Sequence, residues 1–298
     1  MSLKEENNKT ESLWQETRDR FKKNKLARIA LGFIIFMILF SFIGPLFSPY
    51  LNEKVQEDMI KMAPSFKNWL GTDQLGRDVL TRLMLAGRIS LTIGIASMIL
   101  SLVIGTIIGA VSGFYGGIID IVLMRFADIL MSIPALPLLM ILSAALSGFN
   151  IAPENRLYLV MGILSLIGWP GLARLIRGQV LSFKERSFMD AAEVLGLSDK
   201  RKIFNHLIPN IIPLLIVVAT LNVAGGILSE SALSYLGLGV VPPTPSWGSM
   251  IDSANNLLDF QKRPWLWAPP GVAIFLTVVS INIVGDGLRD ALDPKEGR

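Results

Sequence analysis

The chain has 298 residues, 51% of them apolar and only 17% charged, against about 25% charge in soluble proteins. The apolar residues come in long runs rather than alternating, which excludes a transmembrane β-barrel and gives an all-α polytopic membrane protein. No cysteine is present and His206 is the single histidine, so disulfides, thiolate metal centres and His-rich metal sites are excluded; the net charge of +4 needs no nucleic acid, because membrane proteins retain basic residues on the cytoplasmic side.

Residues 1–25 form an expected cytoplasmic tail with no cleavable signal peptide, since polar and charged residues precede the first apolar run. Within it Leu13, Trp14 and Phe21 can share a helical face with Arg18, Arg20, Lys22 and Lys23 elsewhere, and Ser12 with Gln15 resembles a capping box. A basic amphipathic helix on the inner leaflet and a plain solvated tail both fit. Residues 26–88 read as a first span (26–47), broken by Gly44-Pro45 and Pro49, and an external segment. There Asp73 with Arg77, and Asp78 with Arg82, stand at the spacing of helical ion pairs, which predicts a capped amphipathic helix.

The second span is expected at 89–114. In it, and just past it, Ser97, Ser101, Gly105, Gly109, Gly113 and Gly117 recur every fourth residue. Each glycine costs a helix about 1 kcal/mol relative to alanine, so the row predicts a face for close helix packing. A third span, 118–146, carries Arg125 and Asp128, spaced to pair on one face, and Pro134 and Pro137, which should bend it. A fourth ends near Ile176 and should break at Trp169-Pro170-Gly171.

The polar insert after it must lie outside the bilayer. Its sequence spells a short helix through Ala191, Ala192, Glu193 and Leu195, a stop at Gly196, a second helix capped by Ser198 or Asp199, and an end at Pro209. The fifth span, 210–235, contains Asn222 and Glu230; Glu230 would lie about 30 Å along it at 1.5 Å per residue, near the external end. A structural bond, contact with cargo or a docked protein, and proton coupling are the three readings of that carboxylate. The glycines at 237 and 239 make no dinucleotide fingerprint, lacking the strand and helix order. A sixth span, 268–284, puts both termini on one side. Lys and Arg gather there, in the two tails and the insert, making it the cytoplasm, although Lys54, Lys61, Lys67, Arg77, Arg82 and Arg88 fall outside.

The insert, with Asp190-Ala191-Ala192, Gly196 six residues after the acid and Pro209 thirteen beyond, resembles the EAA coupling loop of ABC importer membrane subunits, with Asp190 for the usual Glu and His206 for the usual Ile. Stretches 70–91, 235–248 and 285–294 are similar to the dipeptide, oligopeptide and nickel branch of that family, and to its C-type oligopeptide permease subunit. The resemblance implies six transmembrane helices with the coupling loop between spans four and five, and an importer transmembrane domain over 89–298. It also implies a multi-pass place in the cell membrane with both termini cytoplasmic. Asp190, Ala191, Ala192, Gly196 and Pro209 would couple to an ATPase; Asn222, Glu230 and Trp247 are candidates for the path or for docking. The implied partners are a second homologous permease, two ATPase subunits, an extracytoplasmic peptide-binding protein and membrane lipid. With no Gly-x-x-x-x-Gly-Lys-Ser/Thr loop in the sequence, the chain should bind no cofactor and catalyse nothing, ATP and Mg belonging to the partners. The cargo stays open among dipeptide, oligopeptide and metal chelate. A secondary transporter or channel working alone is the rival, with Glu230 as its ion-coupling candidate; an intramembrane enzyme would lack a nucleophile and base.

Overall fold

The computed structural model describes residues 13–50, 57–148, 152 and 155–292, and these are helical with no strand. Five helices are long and apolar enough to cross a membrane, or six if one bent pair counts as a single span. The bundle opens with α1 (Leu13–Lys23) and α2 (Lys25–Phe42), separated by Asn24, whose side chain caps α2 by accepting from the Ala27 N–H at 3.0 Å. Ser12, the proposed cap of the tail helix, lies outside the described residues. α1 leans on the far end of the chain rather than standing free: a side chain at Gly287 would meet both Ala27 and the Phe21 ring.

Beyond the 3-10 turn Gly44–Phe47 the external segment departs from the sequence expectation. Residues 70–78 are a knotted loop, not a helix. Asp73 accepts from the Leu75 and Arg77 N–H groups at 2.8 and 2.9 Å and pairs with the guanidinium of Arg77 at 2.8 Å and of Arg82 at 3.2 Å. Asp78 is committed to capping: it accepts from the Thr81 N–H at 2.8 Å and from the Asn68 amide at 2.9 Å. That cap starts α3 (Val79–Tyr115) ten residues before the expected span, and its 37 residues run through positions 88 and 89, where the external segment was expected to end.

Where the third span was expected stand α4 (Gly117–Ser132) and α5 (Ala135–Ser147), bent by 90° to each other. The break is at Ile133, whose ψ of 129° is the extended conformation that a following proline enforces; Pro137 falls in the first turn of α5, where no N–H is needed. In α6 (Arg156–Lys184) the expected break fails to appear: Pro170 sits inside an unbroken helix, buried with Trp169 and Ala173. Pro209 likewise stops nothing. α8 (Asp199–Arg201), a π-wound turn (Lys202–Leu207) and α9 (Ile208–Tyr235) form one helix from Asp199 to Tyr235; the wider π turn precedes the proline, where an α-helix would set its ring against a carbonyl. Preceding them is α7 (Ser187–Val194), and α10 (Trp247–Ile251), α11 (Leu257–Lys262) and α12 (Ala268–Leu292) complete the chain. α12 continues well past the expected end at 284.

α3 is the axis of the bundle and packs most extensively on α6. The small-residue row makes that seam. A Cβ on Gly105 would lie 2.7 Å from Leu172 Cβ, on Gly109 2.4 Å from the Ala173 carbonyl oxygen, and on Gly113 2.9 Å from Val180 Cβ. Ser101 donates to the Ser165 carbonyl at 3.3 Å and Ser165 to the Ser97 carbonyl at 3.4 Å. Gly117 does not belong to this face: it lies in the turn with φ +57° and no atom within reach of a Cβ. The same device joins α3 to α9, where Gly94 and Gly226 face each other.

Candidate functional site

The C-terminal ends of α3 and α6, the C-terminal part of α9 and the polar face between α4 and α6 hold the residues that chemistry singles out. At the first, α7 ends as the sequence expects. The Gly196 N–H bonds to the Glu193 carbonyl at 2.9 Å and the Leu197 N–H to the Ala192 carbonyl at 3.1 Å, with Gly196 at φ +67°. This is the Schellman close of a helix. Ser198 takes the cap position of α8 without a side-chain bond. Met189, Ile203 and Leu207 are buried in one cluster with Ala110, Phe114, Ile176 and Val180, and Lys202 braces the elbow by reaching Glu193 at 3.6 Å. Asp190, Ala191, Gly196 and Pro209 are exposed, but Ala192 points into the bundle. Outward stand Val194 and Leu195, 87% and 76% exposed, and Phe204.

Toward the C-terminal end of α9 Glu230 is fully buried. Its carboxylate accepts from the Ser90 hydroxyl of α3 at 2.8 Å and from Ser234 at 2.7 Å. Each hydroxyl accepts in turn: Ser90 from the Trp247 N–H at 3.1 Å, Ser234 from the Val240 N–H at 3.0 Å. Trp247 is buried too, its indole donating to the Leu83 carbonyl at 3.1 Å, and Gly248 touches the Ser231 backbone so closely that a Cβ would come within 2.4 Å. The carboxylate therefore ties α3, α9 and the segment through α10 together. Asn222 alone of the three path candidates is exposed, bonded to its own helix at the Val218 carbonyl.

Between α4 and α6 runs a ladder of ion pairs. Asp120 takes both nitrogens of a fork from Arg177, at 2.5 and 2.6 Å, and accepts from Ser112. Asp128 bonds Arg174 at 2.5 Å and only approaches Arg125, at 4.0 Å. The expected Arg125 and Asp128 pair is thus the weaker contact, and the stronger ones join positions far apart in sequence. Lone charges inside spans were the available signal for them.

These helices and motifs match known proteins. Residues 105–298 match the family described as the binding-protein-dependent transport system inner membrane component, and residues 12–64 match the N-terminal TM domain of oligopeptide transport permease C. The chain is 42% identical over 287 residues to the oligopeptide transport system permease protein OppC of Haemophilus influenzae, covering 96% of this chain and 89% of that one. It is 40% identical to OppC of Bacillus subtilis, covering 96% and 91%, and 41% identical to OppC of Escherichia coli K12, covering 96% and 92%. The chain belongs to the OppC oligopeptide permease family. As a member of the OppC family it is a multi-pass permease subunit of an ABC importer, working with other subunits, and not an enzyme.

Proposed function

We propose that this chain carries oligopeptides inward as one half of a permease pair, driven by two ATPase subunits that dock on the α7–α8 elbow. The observation that carries the reading is the elbow itself. Its inner face is rooted in the core through Met189, Ile203 and Leu207, with Ala192 also buried, while Val194 and Leu195 stand uncovered on its outer face. A lever must be rigid at its root and free at its tip. The continuous helix from Asp199 to Tyr235 supplies a rod from that tip to the outer end. Lys22, Lys23, Lys25, Lys200, Arg201 and Arg289 cluster at the elbow end, which supports cytoplasmic termini and elbow. ATP and Mg belong to the docked subunits, and an extracytoplasmic peptide-binding protein delivers cargo to the opposite end. Against a carrier working alone, Glu230 is sealed from water and offers no exchange route for an ion.

The test is reconstitution of the complex with its ATPases, companion permease and binding protein in proteoliposomes, with ATP-driven uptake of a labelled tripeptide. Gly196→Val strains the closing turn at φ +67° without meeting any neighbour, so uptake should fall while the subunit stays inserted and stable. Peptide uptake that follows a proton gradient without ATP overturns the reading, and normal uptake by Gly196→Val removes the elbow from it.

A further inference from the structure

The α4–α6 ladder leaves one positive charge over. Its two carboxylates, Asp120 and Asp128, meet three guanidiniums, Arg125, Arg174 and Arg177. Arg177 is matched to Asp120 by two bonds and Arg174 to Asp128 by one at 2.5 Å, so Arg125 keeps only the 4.0 Å approach to Asp128. Its side chain is 79% exposed. It stands in the middle of an outward stripe of α4 made by Ile118, Val122 and Ile129, which helical spacing puts on one face. Counted from Gly117 at 1.5 Å per residue, Arg125 is about 12 Å into the helix. Arg174 follows Ala173, whose carbonyl faces Gly109, so its level is about 9 Å from the inner end of α3 at the same rise. An ionised guanidinium is held by water, protein or headgroups rather than by acyl chains, and the unmatched charge in the middle of this apolar stripe is what singles Arg125 out.

We infer that this stripe of α4 lines the translocation path and that Arg125 receives the carboxylate of the passing peptide. The inference rests on the importer reading above and names the residue that meets the cargo. Peptides of varied sequence share only their main chain and termini, and a guanidinium is the side chain that grips a carboxylate by two parallel bonds. Asp128, bonded to Arg174 and 4.0 Å from Arg125, offers Arg125 a partner once the peptide moves on, so the grip stays weak enough for release. The aliphatic neighbours on the stripe make no demand on the side chains that slide past.

Because the chain has no cysteine, single-cysteine variants assembled into the full complex give a clean readout on this subunit's own band. Arg125→Cys and, one turn away, Val122→Cys should react with an anionic, membrane-impermeant methanethiosulfonate, and trialanine under turnover should slow the reaction; Phe275→Cys, on the apolar outer face of α12, should stay unlabelled. Uptake of trialanine by Arg125→Gln should fall by about tenfold, the scale of one lost charge-assisted pair, with uptake of its C-terminal amide unchanged and Arg125→Lys partly rescued. Loss of ATP-driven trialanine uptake in the unmodified complex would remove the importer reading and this inference together. With that uptake intact, the inference alone is overturned if both cysteines are unlabelled, if they cross-link to the companion permease, or if Arg125→Gln slows peptide and amide equally.

Discussion

Gly109 gives the sharpest test of the packing. Intrinsic propensity favours Gly109→Ala by up to about 1 kcal/mol, because alanine restricts the unfolded chain and fits any helix. The structure predicts the opposite sign. The new methyl would sit 2.4 Å from the Ala173 carbonyl oxygen and 2.9 Å from Ile176 Cβ; neither is the free end of a flexible side chain, so α6 must move away from α3. Overpacking of that kind costs about 1 to 3 kcal/mol, which leaves a net loss of about 2 kcal/mol after the propensity gain is set against its upper range. Gly162→Ala, on α6 with nothing within 4 Å of its Cβ, keeps the propensity gain and is the matched control. In thermal unfolding of the purified subunit in mild detergent, Gly109→Ala should lower the midpoint by about 3 °C for a chain of this size, with Gly109→Leu worse and Ile108→Leu near neutral. Equal midpoints for Gly109→Ala and Gly162→Ala would refute the close seam.

At the outer end, Glu230→Gln keeps an acceptor for Ser90 or Ser234 and should leave assembly, ATP dependence and stability nearly unchanged, whereas Glu230→Leu orphans both hydroxyls and should cost about 2 kcal/mol in the same unfolding assay; equal losses would show that charge, not bonding, holds the site. Asp259, in α11, is buried, which raises its carboxyl, but bonds from Lys61 at 2.6 Å and Arg263 at 2.5 Å prevail and hold it below the ordinary value of 3.8. Its stabilisation is therefore complete above that value and lost as pH falls through the depressed one. Hydrogen exchange of residues 57–62 should rise at strongly acid pH in the unmodified protein and already be raised at pH 7 in Asp259→Asn, and a variant indistinguishable from the parent at pH 7 would sink the clamp. Asp120→Asn removes an acceptor from the Arg177 fork and should destabilise the subunit by about 1.5 to 3 kcal/mol, read as a lower unfolding midpoint; no shift would mean that the fork is idle.

Much of the architecture was legible in the chain because it follows from local chemistry. Long apolar runs must become helices in lipid, where each backbone group needs a partner. Gly196 could be read as a helix stop because its closing bonds join residues at most five apart. The row from Ser97 to Gly113 announced a close seam for the same reason, as each glycine costs the helix something that only a neighbour can offset. Three prolines show where local rules ran out. Pro134 breaks the chain, but Pro170 is carried through by packing on α3 and Pro209 by a π turn, and nothing within a few residues of either reveals this.

Which partner each feature meets was decided by tertiary structure alone. The seam residues pack on α6 of the same chain, and Ala192 turns inward rather than toward a docking surface. Glu230 finds Ser90 across 140 residues, Arg177 finds Asp120 across 57, and Asp259 finds Lys61 across 198. A carboxylate states in the sequence that it needs donors when buried. Which donors it gets depends on the angles and registers of packed helices, and these follow from the summed shape of many side chains rather than from any short stretch.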